Sequence, residues 1–202
     1  MRIAPRIALA CTLAACVFPA SAAAIGGRYA LDGGTSREQE QVRTALAVSS
    51  FDWTTVPVEV RIHIVPGPCQ ASPGDIWLDP AVLDAGSFSW ATVQHEYAHQ
   101  VDFFLLTPER RAWLSTLLGH KPWGPVDQPG LAHANYASER FASTLSWSFW
   151  QSSANAYRPS SAADEAGGVD PGLFRAVVRG LMLQPSAPAG KHTFGRASEL
   201  SG

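Results

Sequence analysis

The sequence has few cysteines, few charges and no excess of basic residues. It contains 3 Cys in 202 residues and is 16% charged, with 15 Lys and Arg against 17 Asp and Glu. A pI near 6.3 gives no basic surface for a nucleic-acid backbone, so nucleic acid is not expected as a partner. The 7 Trp, 9 Phe and 4 Tyr supply more apolar surface than a disordered chain leaves in water. Length and composition together predict one folded domain.

The apolar run near the start of the chain is too short for a permanent membrane helix. It covers residues 7–20, about 14 residues against the roughly 20 that span a bilayer. Arg2 and Arg6 precede it and the small residues 20–22 close it, which is the arrangement of an export signal. We therefore expect residues 1–22 to be a cleaved signal peptide, no integral membrane span, and a secreted or extracytoplasmic protein.

A second interpretation of this leader uses one of its cysteines. The stretch 13–16 (LAAC) resembles the lipobox of bacterial lipoproteins, in which the cysteine is lipidated and becomes the mature N-terminus. Cleavage after Ala22 is favoured because the apolar stretch continues past Cys16, and a lipid anchor at Cys16 is the alternative. After cleavage at Ala22 only Cys69 remains, so no internal disulfide is expected.

The rest of the chain divides into three parts. Residues 23–34 are Gly-rich and predict a linker, residues 35–183 predict the folded domain, and residues 184–202 predict a flexible tail. Apolar spacing and cap residues predict five helices in the domain, at about residues 35–49, 89–106, 107–119, 133–151 and 170–183.

Two strands are predicted between the first two helices. Valine and isoleucine alternate with polar residues and proline over residues 56–64, which is the period of a half-buried strand with His63 on its exposed face. A second short strand is predicted at Asp75–Leu78, after a loop rich in Pro and Gly. The elements together indicate an α+β fold, mainly helical, with a small sheet packed on the helices.

The second predicted helix carries a pattern typical of zinc sites. Residues 95–99 read HEYAH, and four residues make about 400° of turn, so His95 and His99 emerge on one face, able to bind one zinc ion. Glu96 is rotated about 100° from His95, where it would act as general base on metal-activated water. The alternative is a pair of core histidines without metal, but three buried polar groups would then need other partners.

A catalytic zinc ion normally has three protein ligands, so one more is expected elsewhere in the chain. Glu139 is favoured because it is a lone carboxylate among apolar and small residues of a predicted helix, where an unpaired charge costs stability. The alternative ligands are His133, His120 and the acidic residues of the loop 152–168. The alternatives without metal are an exposed position for Glu139 or a pairing near Arg140.

These residues resemble those of a known enzyme family. HEYAHQVD at 95–102 and ERFA at 139–142 are similar to the HExxHxVD and ExFA patterns of the gluzincin metallopeptidases, most closely the lethal-factor-type branch. The resemblance implies a mini-zincin fold with the small sheet packed against the HExxH helix. It also implies zinc ligands at His95, His99 and Glu139, with Glu96 as general base. Its motifs cover about a dozen of the 202 residues, so it is specific for the site alone.

The metzincin branch is excluded on two positions. Its longer motif requires Gly at position 102 and His or Asp at position 105, where this chain has Asp102 and Leu105. Asp102 stands one turn after His99 on the same helix face, which predicts either an acceptor that orients an imidazole or a partner for Arg110 or Arg111.

Two further expectations come from the family resemblance. The lethal-factor-type branch keeps a tyrosine upstream of its third ligand to stabilise the oxyanion, and Tyr136 is the nearest counterpart. It lies only three residues before Glu139, closer than the family spacing, and a packed aromatic is the alternative. By analogy, residues 76–78 around Trp77 would form the edge strand with which a peptide substrate pairs.

The sequence therefore predicts an exported zinc metallopeptidase that hydrolyses peptide bonds of a peptide or protein by metal-activated water. The first alternative is a non-catalytic, zinc-stabilised binding module of the cell envelope. Glu96 argues against this alternative because a structural zinc site does not need it, and such a site is usually closed by a fourth protein ligand. The second alternative is a metal-free envelope protein.

Overall fold

The computed structural model describes residues 27–124 and 132–183. The predicted signal peptide, Cys16 and the predicted tail 184–202 lie outside the described residues. The described chain has a mixed α+β fold, mainly helical, which confirms the predicted fold class. Its strands and helices are β1 Tyr29–Gly33, α1 Ser36–Val48, β2 Val60–Ile64, β3 Gln70–Ser72, β4 Asp75–Leu78, α2 Pro80–Leu83, α3 Trp90–Leu105, α4 Pro108–Leu117, α5 Ala137–Phe149 and α6 Pro171–Leu183.

Two helices, α1 and α4, begin where the cap residues predict. Thr35 caps α1, its hydroxyl accepting from Glu38 N, while the Glu38 carboxylate accepts from Thr35 N at 2.6 Å. Thr107 caps α4 with Pro108 at the first helical position. The predicted helix 133–151 is divided, because residues 133–135 form a 3-10 turn and α5 begins at Ala137. None of the helices in the ranges described above is long and apolar enough to cross a membrane.

The sheet has four strands in the order β1-β2-β4-β3. β1 pairs with β2 and β2 with β4 in parallel, whereas β3 is antiparallel to β4 and forms one edge. β1 lies in the segment that the sequence predicted as linker, since pairing with β2 along its whole length stabilises a strand that its Gly-rich flanks do not signal. β2 is shorter than the predicted strand 56–64: a 3-10 turn at Trp53–Thr55 precedes it, and its pairing with β1 begins at Val60.

Helix α3 lies at the centre of the fold and sets the position of the cleft. It contacts α1 and α5 as well as β3 and β4. Gln100, buried on α3, holds the β3–β4 hairpin against the helix: its side-chain oxygen accepts from Gly74 N at 2.8 Å, and its amide donates to Ser72 O at 2.9 Å. Because Gln100 directly follows His99 on α3, these bonds fix the edge strand β3 next to the HExxH residues.

Candidate metal centre

The structure brings together the three residues that the sequence predicted as zinc ligands. His95 and His99 lie one turn apart on α3, and Glu139 comes from the first turn of α5, which packs against α3. His95 Nε2 and His99 Nε2 are 3.2 Å apart, and Glu139 Oε2 lies 3.1 Å from the first and 3.3 Å from the second. Three ligand atoms on two helices therefore converge on one point.

The spacing of these three atoms fits a tetrahedral zinc site. Zinc bonds of about 2.0–2.1 Å to nitrogen and oxygen in a tetrahedron put neighbouring ligand atoms about 3.3 Å apart. The observed edges are 3.1, 3.2 and 3.3 Å. Two imidazole nitrogens and a carboxylate oxygen are also the donors of hydrolytic zinc sites. Zinc binding itself stays a prediction.

A serine and a second glutamate hold His95 in the orientation that a metal ligand needs. His95 Nδ1 lies 3.0 Å from Ser143 Oγ, and Ser143 donates to Glu165 Oε2 at 2.6 Å. Because the serine proton is used by Glu165, its oxygen accepts from His95 Nδ1–H. This arrangement fixes the tautomer that leaves the Nε2 lone pair facing Glu139 and His99.

His133 lies next to the triangle and makes two contacts with acids. Its Nε2 is 2.8 Å from Glu139 Oε2, and its Nδ1 is 2.8 Å from Glu165 Oε1. Hydrogen bonds to Glu139 and Glu165 raise the pKa of His133 to about 10, so it is protonated at neutral pH in the metal-free chain. His95, His133 and Glu139 also offer one ligand atom each within 4.8 Å of one another, which makes His133 a further candidate ligand.

The site opens to solvent through a cleft of about 620 Å³. Glu96, His99 and Glu139 line it, although each is less than a tenth exposed. Its other walls come from β3, the end of α3, α4 and the segment before α5, and they include Cys69, Gln70, Ala71, Phe103, Arg111, Trp123 and His133.

Burial changes the acidity of the site residues in opposite directions. It raises the pKa of Glu96 to about 7 and lowers the pKa of His95 to about 4, because each loses hydration of its charged form. Burial also acts to raise the pKa of Glu139, but its contacts with His133, His95 and His99 outweigh this and keep that pKa low. The site thus combines an ionised carboxylate, a neutral imidazole and an acid that titrates near neutrality.

The raised pKa of Glu96 predicts a pH-dependent cost in stability that can be measured without metal. The folded-state pKa of about 7 lies above the ordinary value of 4.5, so the free energy of unfolding falls as pH rises through this window. Glu96→Gln removes the titration, and at pH 8 we expect it to stabilise the chelator-treated protein by about 3 kcal/mol. Urea unfolding at pH 5 and pH 8 checks this. Equal stability of both proteins at both pH values would contradict the burial argument.

Tyr136 does not take the position that the family resemblance implied. It is 1% exposed and is not among the residues that line the cleft. It directly precedes α5 and is buried, as in the packed-aromatic alternative. His133, six residues before Glu139, lies at the cleft instead. His120, another alternative ligand, is exposed after α4 and does not line the cleft.

Two other expectations about single positions are corrected. Asp102 does not orient an imidazole, because its Oδ1 accepts from Arg111 Nε at 2.7 Å and its Oδ2 from Trp123 Nε1 at 2.9 Å. Its alternative role, as partner of a nearby arginine, is the observed one. Trp77 does not lie on an edge strand, since β4 pairs with β2 on one side and β3 on the other. Its ring stacks on that of His63, 5.3 Å away.

Three residues of the site make contacts that the sequence analysis does not predict. Ser143 stands four residues after Glu139, so helical spacing alone could have marked it as a neighbour on the same face. Glu165 belonged to the loop acids considered as ligands, but it contacts His133 and Ser143 instead. Tyr157, from the same loop, stacks on the ring of His95 with 4.9 Å between centroids. No sequence pattern indicates either loop contact.

Comparison of the chain with protein-family models, curated proteins and solved structures found no match. The family resemblance therefore depends on the HExxH and ERFA residues themselves.

Proposed function

We propose that this chain is an exported zinc metallopeptidase that hydrolyses peptide bonds by metal-activated water. The observation that carries the proposal is the triangle of His95 Nε2, His99 Nε2 and Glu139 Oε2, with edges of 3.1–3.3 Å, beside an open cleft. Glu96 favours a hydrolytic metal over a structural one, because a structural site does not need a buried carboxylate that is not a ligand. The leader 1–22 supports export, with a lipid anchor at Cys16 as the alternative.

Glu96 has the chemistry of the general base in this reaction. When bound, zinc would polarise the scissile carbonyl and make a water molecule more acidic. Glu96 lines the same cleft as the three ligands, and its carboxylate takes the proton of the attacking water and passes it to the leaving amine. A pKa raised to about 7 by burial suits both transfers, since an acid–base group works best near the ambient pH.

His133 is the residue that we assign to the negative charge developing on the carbonyl oxygen. It lines the cleft, and the contact of its Nδ1 with Glu165 Oε1 at 2.8 Å fixes the direction of its ring. In the metal-free chain its Nε2–H donates to Glu139 Oε2 at 2.8 Å. If zinc binds that carboxylate oxygen, the same N–H can donate a hydrogen bond to the carbonyl oxygen of the substrate instead. His133 thus takes the role that the family resemblance implied for Tyr136.

The sheet edge beside the cleft favours an extended peptide as substrate. β3 is an edge strand, and its residues Gln70 and Ala71 line the cleft. An extended peptide can pair with such an edge through main-chain hydrogen bonds, which hold many sequences in one orientation. The direct test is hydrolysis of a capped random peptide library by the zinc-loaded protein, with loss of cleavage on chelation and recovery with zinc. A protein that binds zinc and cleaves nothing contradicts the proposal.

A second candidate function is the non-catalytic, zinc-stabilised module. The observation that favours it is the position of His133, whose Nε2 lies 2.8 Å from Glu139 Oε2 and offers a fourth protein donor. Four protein ligands close a zinc site and leave no position for water or substrate, as in structural sites.

The substitution His133→Ala separates the two functions. If His133 acts on the substrate, zinc affinity falls by no more than about 100-fold, the range of residues that only support a ligand, while kcat of the zinc-loaded protein falls by about 100-fold, as on loss of an oxyanion donor. If it is a fourth ligand, zinc affinity falls by more than about 100-fold, beyond the loss typical of residues that only support a ligand. A competing chelator measures the affinity. His120→Ala, an exposed histidine outside the cleft, is the matched control.

A further inference from the structure

Arg111 brings a positive charge into the wall of the cleft. It lies in the first half of α4, and its side chain is 31% exposed. Among the residues of the cleft that the structure describes, it is the one Arg or Lys. Its side chain contacts Asp102, which lies on α3 three residues after His99, so Arg111 lies on the His99 side of the metal centre.

Asp102 holds the guanidinium in a fixed orientation. Arg111 Nε donates to Asp102 Oδ1 at 2.7 Å, and Arg111 Nη2 donates to the Asp102 backbone oxygen at 2.9 Å. The Asp102 carboxylate is 5% exposed, and its second oxygen accepts from Trp123 Nε1. Because Asp102 lies on α3 one turn after His99, these bonds tie the guanidinium to the helix that carries the histidines. Little side-chain entropy is then lost when the guanidinium binds a ligand.

The far edge of the same guanidinium remains for a ligand. The Nε side is used by Asp102, whereas Nη1 has no hydrogen-bond partner among the residues in 27–124 and 132–183. Two N–H groups on the Nη1–Nη2 edge match the two oxygens of a carboxylate. We propose that Arg111 is a specificity-determining residue that selects substrates with a carboxylate. This inference rests on the proposed peptidase function and names its substrate class.

The acidic residues of the cleft do not prevent a carboxylate from binding to Arg111. Asp102 is already paired with Arg111 and Trp123, and Glu139 with three histidines. Glu96 is the remaining acid of the described cleft residues, and it belongs to the metal centre. The carboxylate that Arg111 binds is either an Asp or Glu side chain or the free C-terminus of a short peptide.

The experiment compares three peptide libraries with the zinc-loaded protein. Two are capped at both ends and differ only in a fixed Glu or Gln, and the third carries Gln with a free C-terminal carboxylate. We expect the wild type to cleave one carboxylate library about 10- to 100-fold faster in kcat/KM than the capped Gln library, as for charge-assisted hydrogen bonds. The library that is preferred identifies the source of the carboxylate.

Variants at position 111 test whether the preference for a carboxylate depends on Arg111. Arg111→Gln is expected to bring the ratio of kcat/KM for the preferred carboxylate library to kcat/KM for the capped Gln library close to one. Arg111→Lys should restore part of the preference, because lysine keeps the charge but lacks the paired N–H groups of the guanidinium. The substitution leaves Asp102 without its arginine partner and can lower the activity on every substrate. This general loss cancels when the ratio of the two activities is compared. Arg43→Gln, an equal change of charge on an exposed arginine of α1, is expected to keep the wild-type ratio.

Capture separates failure of this inference from failure of the proposed function. Immobilised Glu96→Gln protein, which should bind peptides without cleaving them, is exposed to the same libraries and the retained peptides are identified by mass spectrometry. Cleavage without carboxylate preference, or with a preference that survives Arg111→Gln, overturns the inference and leaves the peptidase standing. Absence of cleavage combined with Arg111-dependent capture overturns the peptidase and keeps the carboxylate subsite. If the protein neither cleaves nor captures peptides, both the inference and the proposed function are overturned.

Discussion

Glu96→Gln is expected to lower kcat/KM for peptide hydrolysis by about 100- to 10,000-fold, which is the usual contribution of general acid–base catalysis. Glutamine has nearly the same shape but cannot accept the proton of the attacking water. Glu96 contributes none of the three converging ligand atoms, so the zinc content should stay at the wild-type value. The two readings are initial rates on a peptide substrate and zinc per chain by elemental analysis.

A matched control makes this result specific to the site. Glu40→Gln removes the same charge from the exposed face of α1 and should change neither rate nor zinc content. If Glu96→Gln keeps wild-type turnover, Glu96 is not the base and the hydrolytic mechanism is wrong. If it loses zinc, Glu96 belongs to the ligand set, and a set of His95, His99 and Glu139 alone is wrong.

Glu139→Gln is expected to weaken zinc binding by more than about 100-fold, and activity should fall with it. Residues that only support a ligand typically contribute 10- to 100-fold to metal affinity, and a direct anionic ligand should contribute more. Glu139 Oε2 is the atom of α5 that approaches both His95 Nε2 and His99 Nε2. Titration against a competing chelator measures the affinity, with circular dichroism as a check that the protein is folded.

Glu165→Gln is the control for the loss of zinc affinity expected in Glu139→Gln. Glu165 contacts His133 and Ser143 and reaches His95 only through Ser143, so its loss should weaken zinc binding by about 10- to 100-fold. Equal losses for Glu139→Gln and Glu165→Gln would show that Glu139 also acts indirectly. Wild-type affinity in Glu139→Gln would remove it from the ligand set.

The parts of the site that lie on helices could be predicted from the sequence. Helical spacing puts His95 and His99 on one face whatever surrounds them. Glu139 is predictable for a different reason: a carboxylate in an apolar helix needs a cation or a donor, and the structure brings it to the histidines. Ser143 follows from the same helical period. The helix caps at Thr35 and Thr107 are equally local and were equally predictable.

The remaining parts depend on contacts between distant segments. β1 is stable because it pairs with β2, and its own Gly-rich composition favours a linker. The edge strand β3 has three residues, too few for a periodic pattern. Glu165 and His133 meet through the path of two loops, which no spacing rule describes. Tyr136 is buried and His133 lies at the cleft because a 3-10 turn, not a continuous helix, leads into α5.

The zinc content of the purified protein is the most direct test of a shared metal ion between α3 and α5. After zinc loading and removal of unbound metal, we expect one zinc ion per chain by mass spectrometry, and close to none in His95→Ala, His99→Ala or Glu139→Gln. A wild-type protein that retains no zinc, or three variants that retain it fully, would contradict the account.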